Sequence, residues 1–170
     1  MKRKALMNIA ASSMIMAVTM VGCSGSQSLK MHAGVASPKA QKNAMAFADR
    51  AEKAIGKHDA DSAIGAAEAA VAADPSNAAY RVLLGRAYML DGRFASAETA
   101  LEDAVTLGDS SSQTVVNLAL TKTVLGKAAV ARTLLSDHAD IIPASDYGLA
   151  MALAGDAQEG VRVLSQAARE

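Results

Sequence analysis

The chain has 170 residues, 17 Lys plus Arg against 17 Asp plus Glu, one cysteine, no tryptophan and only 3% aromatic residues. A single cysteine excludes an internal disulfide. With balanced charge, no basic run and few aromatic side chains, a nucleic-acid-binding role has nothing to stand on.

Lys2, Arg3 and Lys4 open the chain, and Ala5 to Val21 carries no charge. A basic start followed by an apolar stretch is the layout of a secretory signal peptide. The stretch is interrupted by Asn8, Ser12 and Ser13 and is short for a spanning helix, which needs about 20 apolar residues. Its end, Met20-Val21-Gly22-Cys23, resembles the lipobox of bacterial lipoproteins, with Met20 where that family prefers Leu. The resemblance implies cleavage after residue 22, lipidation of the Cys23 thiol, and an anchor of two or three acyl chains, enough for stable membrane attachment. Ser24 after the cysteine, rather than Asp, resembles cargo sent on to the outer membrane, so the expected site is its periplasmic face. The mature chain keeps 14 Lys plus Arg and 17 Asp plus Glu, a net charge of −3.

Residues 23–41 are rich in Ser, Gly, Gln, Lys and Ala without an apolar period. They read as a flexible tether, about 24 Å long on average and about 60 Å at most. His32 lies in it without a partner in sequence. From Lys42 to Glu170 apolar residues recur at three- and four-residue spacings, the period of helices rather than strands. Helix-stopping Gly or Pro stands beside capping Ser, Asp or Asn at Gly56 to Asp59, Asp74 to Asn77, Asp91-Gly92, Gly108 to Ser110, Gly126, Pro143 and Gly155-Asp156. These breaks predict eight short helices.

A spacing of 34 organises them. Ala63, Ala97 and Ala131 keep that step, as do Ala51, Gly85 and Ala119, the series Ala67, Leu101 and Leu135, and Ala70, Ala104 and His138. Gly92 and Gly126 follow it too, as does the breaker column Pro75, Asp109 and Pro143. This is the period of tetratricopeptide repeats, and residues 78–111 carry most of that signature: Leu84-Gly85, Tyr88, Gly92, Phe94, Ala97, Leu101 and Ala104. The expected fold is all-α, a right-handed superhelical solenoid of helix–turn–helix repeats. Three units are full, at about 44–77, 78–111 and 112–143, and a shortened fourth spans 144–170. In that unit Gly155, Gly160 and Leu164 follow Gly126, Ala131 and Leu135 by 29, so its first helix, from about Ser145 to Leu153, is expected to be short. No polar capping helix follows, so a flank holding Val161, Val163 or Leu164 is expected to be exposed.

In the tetratricopeptide family the first helices line a groove that holds a peptide from a partner. Carried over column by column, the groove would comprise Met45, Ala48, Glu52 and Ile55, then Val82, Arg86, Met89 and Leu90, then Gln113, Val116, Leu120 and Thr123. This mostly apolar wall lacks a basic clamp for a terminal carboxylate, and an amphipathic segment fits it better. Catalysis and cofactors find no support. His32, His58 and His138 have no partners at metal-ligand spacing, no nucleophile motif surrounds Ser110-Ser111-Ser112, and no Gly-rich phosphate loop is present. His138 replaces a small residue in a packing column, which predicts a partly buried structural role.

Lipobox, tether and repeats together resemble small tetratricopeptide lipoproteins that assist outer-membrane machines. Tyr80 to Tyr88 and Asp146 to Asp156 look most like the TadD-type lipoprotein of the tight adherence (Tad, Flp) pilus system. That resemblance implies a non-enzymatic adaptor, with a secretin or another pilus component as its protein partner. The alternative is an envelope accessory that holds a peptidoglycan or polysaccharide enzyme.

Overall fold

A computed structural model of the chain describes residues 37–169, which form eight helices. The signal segment, Cys23 and His32 lie outside the described residues. In chain order the helices are α1 (Pro38–Gly56), α2 (Ala60–Ala73), α3 (Ala78–Leu90), α4 (Phe94–Thr106), α5 (Ser112–Val124), α6 (Ala128–Asp137), α7 (Ala144–Leu153) and α8 (Ala157–Ala167). Among the described residues there is no strand, and no helix is long and apolar enough to cross a membrane. Helix α1 begins inside the segment assigned to the tether, at Pro38 rather than Lys42. Ser37 supplies the reason: its hydroxyl accepts from the Ala40 N–H, and Pro38 fills the first helical position, where a missing amide proton costs nothing. Asp59, Asn77, Ser111 and Asp156 cap α2, α3, α5 and α8 in the same manner.

The helices pair as α1 with α2, α3 with α4, α5 with α6 and α7 with α8. Each pair crosses at a small residue. A Cβ on Gly85 would stand 2.7 Å from Cγ of Leu101, which is fully buried. On Gly148 it would stand 2.8 Å from Cγ of Leu164, and on Gly160 2.6 Å from the Gly148 carbonyl oxygen. Ala51 with Ala67 and Ala119 with Leu135 hold the corresponding places in the first and third units, all buried. The fourth unit therefore keeps the internal crossing of the others. Its shortening falls at both ends of the preceding junction: α6 and α7 have 10 residues each, where α4 and α5 have 13. Ile142, in the connecting turn, is buried among Ala131, Leu135 and Met151 and fills the space. Arg132 of α6 adds a 2.7 Å bond to the Ala154 carbonyl at the end of α7.

Successive first helices α1, α3, α5 and α7 touch one another, whereas no two second helices do. The array therefore curves with its first helices inside. The polar ties between units lie at the second helices. Tyr88 of α3 donates to Glu68 of α2 at 2.8 Å, and Lys122 of α5 donates to Glu98 and Glu102 of α4 at 2.7 Å. Lys127 completes a cluster on Glu98, whose side chain, like that of Lys122, is only 12% exposed. The ammonium of Lys122, then that of Lys127, hold the Glu98 carboxyl below its ordinary value of 4.5 against the opposing effect of burial. His138 is half-buried, its Nδ1 2.9 Å from the Leu134 carbonyl. Val161 and Leu164 are exposed, at 63% and 36%, although Leu101 and Leu135 in the Leu164 column are fully buried.

Two glycines should respond to alanine with opposite signs. Gly160→Ala meets backbone and should cost about 1–3 kcal/mol, whereas Gly65→Ala in α2 meets nothing within 4 Å and should gain up to about 1 kcal/mol; urea unfolding reads both. Glu98→Gln should cost about 1–2 kcal/mol at pH 7. Because the folded Glu98 carboxyl sits below its ordinary value, its stabilisation is present above the unfolded value and is lost as pH falls through the folded one. The difference between wild type and Glu98→Gln should thus close as pH drops below 4.5, and a constant difference down to pH ~2 would refute the account.

Candidate functional site

The inner wall is the candidate site, because the first helices bring side chains of all four units to one face. Three hollows run along it. The first, about 210 Å³, lies between α1, α3 and the α4–α5 turn, and contains Ala48, Glu52, Val82, Arg86, Asp109 and Gln113. The second, about 270 Å³, is walled by Ile55, Met89 and Leu90 and edged by His58, Arg86 and Asn117. The third, about 280 Å³, contains Gln113, Val116, Asn117 and Asp146. Arg86 is shared by the first two hollows, Asn117 by the second and third, and Gln113 by the first and third.

Nine of the twelve residues expected to form the groove line these hollows: Ala48, Glu52, Ile55, Val82, Arg86, Met89, Leu90, Gln113 and Val116. Leu120 does not line these hollows and packs instead on the core of the third and fourth units beside Ala119, Leu135 and Met151. Thr123 bonds back to the Ala119 carbonyl at 2.9 Å, and Met45 projects at 62% exposure near the start of the wall.

Several lining residues escaped the column reading. Asn117 follows Leu83 by 34, so an apolar column turns polar in the third unit. Its Nδ2 is buried without a hydrogen-bond partner among the described residues. His58 precedes Gly92 and Gly126 by multiples of 34, and this mismatch was legible in the spacing. Asp109 is held by its own turn. Its carboxylate accepts from the Ser111 N–H at 2.8 Å and from the Thr114 hydroxyl at 3.0 Å. Burial pushes its carboxyl up, but those bonds outweigh it and hold the group below its ordinary value. Asp146 comes from the fourth unit, whose changed spacing hid its approach to Gln113 and Val116.

The wall offers hydrogen-bond donors, acids and apolar side chains. Among the described residues, no three His, Cys, Asp or Glu side chains gather to hold a metal ion.

Comparison with known proteins agrees with this geometry. The sequence model of the tetratricopeptide repeat matches residues 54–112, from the end of α1 through α4 to the start of α5. No curated protein matches the sequence. Among solved structures, the first tetratricopeptide domain of Spaghetti (RPAP3), bound to the HSP90 peptide SRMEEVD, is similar with a TM-score of 0.63 at 20% identity, covering 69% of this chain and 97% of that one. The Arabidopsis OM64 tetratricopeptide domain has a TM-score of 0.64 at 13% identity, covering 68% and 96%. MamA has a TM-score of 0.62 at 21% identity, covering 77% and 80%. Identities this low speak for the fold alone. Residues 54–112 are thus tetratricopeptide repeat sequence, and the helices around them continue the same solenoid fold.

Proposed function

We propose that the protein is a lipid-anchored adaptor whose inner wall holds a segment of a protein partner, with no chemistry of its own. The observation that carries this reading is the continuous concave face in which Ile55, Val82, Met89, Leu90 and Val116 are half-buried beside the exposed Glu52. Half-buried apolar side chains along an open groove still have surface to lose on binding, and methionine adapts to partners of irregular shape. Spaghetti's first domain, bound to a peptide, supports this use of the fold. So does the second human RPAP3 domain, in complex with the HSP70 peptide SGPTIEEVD.

The anchor is Cys23, and the place is the periplasmic face of the outer membrane. The lipobox-like Met20 to Cys23 and Ser24 support both. The resemblance of Tyr80 to Tyr88 and Asp146 to Asp156 to the TadD-type lipoprotein makes a secretin or other component of a Tad/Flp pilus the partner, and assembly or localisation of that machine the role.

Cys23→Ala should move the protein from the membrane pellet to the soluble envelope fraction and remove the mass of its acyl chains. An unchanged distribution would refute the anchor. For the groove, the lipidated protein and an Arg86→Glu, Met89→Glu double variant, matched for helicity by circular dichroism, are used to capture partners from detergent-solubilised membranes. The wild type should retain a secretin or pilus component and the double variant should lose at least about tenfold of it, as expected when a central apolar and charged contact is reversed. Equal retention would move the interface off the groove. Retention of a cell-wall enzyme instead would replace the pilus assignment with the accessory role.

A further inference from the structure

We propose that His58, Arg86 and Asn117 form a subsite that holds an acidic side chain within the partner segment; this rests on the groove reading above and names what part of it recognises. The first observation is backbone. His58 has φ +57°, and Gly92, Gly126 and Gly155, which close the corresponding turns of the other three units, have φ between +74° and +89°. Glycine adopts that region freely, and histidine tolerates it better than most residues but not without cost. The first unit thus carries a side chain where the fold itself asks for none, and that side chain edges the second hollow.

The second observation is independent of the first. Asn117 lines the same hollow, and its Nδ2 is buried with no acceptor among the described residues. A buried amide donor without an acceptor costs free energy until something supplies one. Its backbone oxygen, by contrast, is used, accepting from the Thr121 hydroxyl at 2.7 Å. The third observation is charge. Arg86 is half-buried in this hollow and forms none of the ion pairs among the described residues. Glu52 and Asp109 share the first hollow with Arg86 without pairing with it, and a partly desolvated guanidinium with no direct partner favours a carboxylate, since it can donate two parallel bonds. His58, Arg86 and Asn117, each carrying a nitrogen donor, thus line one hollow with Ile55, Met89 and Leu90.

The flanks decide what kind of acid enters. This hollow shares Arg86 with the first and Asn117 with the third, so a bound chain can extend on both sides of the subsite. The occupant is therefore a Glu or Asp side chain within a segment, not a chain terminus. The neighbouring hollows carry Glu52 and Asp109 on one side and Asp146 on the other. The matching segment has an acidic centre between basic flanks.

The test uses the full-length protein in detergent and three probes: N-acetyl-Leu-Glu amide, N-acetyl-Leu-Gln amide, and N-acetyl-Leu-Gln with a free carboxyl terminus. Binding is followed by NMR at the Asn117 side-chain amide and the Arg86 Nε–H. The Glu amide should bind at least about fivefold more tightly than either other probe and should shift both signals. His58→Gly and His58→Asn, which both suit the left-handed turn, should lose that preference. His58→Gly should also raise the melting temperature by about 2–4 °C. Equal binding of the three probes, binding of none, or preference for the free terminus overturns the subsite. So does preference retained in both His58 variants, or a lower melting temperature for His58→Gly, which would assign His58 to the fold's own packing. If the capture experiment loses its partner in the double variant while the probes show no acid preference, the groove reading stands and the subsite alone falls.

Discussion

Everything in this molecule depends on how closely two helices approach within each unit. Where the first helix presents Gly85 or Gly148, a leucine sixteen residues later lies where a β-carbon would have been. The same pairing recurs as Ala119 with Leu135 and, with a smaller partner, as Ala51 with Ala67. Because packed interiors leave few voids, the size of one side chain at such a crossing sets the separation of the whole pair. That separation in turn decides how the next unit can seat itself. A lone cysteine supplies no internal disulfide staple, which makes the crossing more consequential.

Curvature follows. First helices meet their successors directly while second helices are spaced by them, so one face closes and the other opens. The closed face collects side chains from helices far apart in sequence, and this is how Glu52, Arg86 and Gln113 come to share one hollow. The open face carries the charged ties, with Glu98 between Lys122 and Lys127 as the most enclosed. Apolar and polar work are thereby divided between the two faces: the inner one is left with unspent apolar surface and the outer one clamps units in place. Such a division suits a scaffold, which has to hold its shape while its concave side exchanges water for a partner.

Much of this was legible in the sequence, and the reasons differ by residue. The columns at Gly85, Ala97 and Leu101 announced the crossings because close approach admits only small side chains, a constraint that composition cannot mimic over several units. Nine residues lining the inner hollows followed from the same register. Leu120 did not, because a column says which face a residue is on and not how far round that face the neighbouring helix reaches. Asn117 and His58 were visible only as departures from their columns, and a departure signals interest without saying what fills the space. Pro38 was hidden by its neighbours: a Lys- and Gln-rich stretch reads as linker, yet Ser37 capping a proline-led first turn is sufficient to start a helix. For the fourth unit, the step of 29 placed its glycines correctly but could not divide the loss between α6 and α7.

Arg132 reaching the Ala154 carbonyl shows how the chain absorbs that loss. A positive group at the carbonyl end of a helix sits at the negative pole of its aligned peptide dipoles. The loss of five residues between α6 and α7 is accommodated because Ile142 fills the shortened turn within the core shared by the two units and Arg132 ties α6 to the end of α7. The general consequence concerns assembly of the chain on itself. Each helix meets only the next helix or the one after it, so the loops to be closed are short and structure can grow from any one hairpin by annexing the next. A chain of this kind can gather its structure as it lengthens, with no early segment waiting for a distant late one.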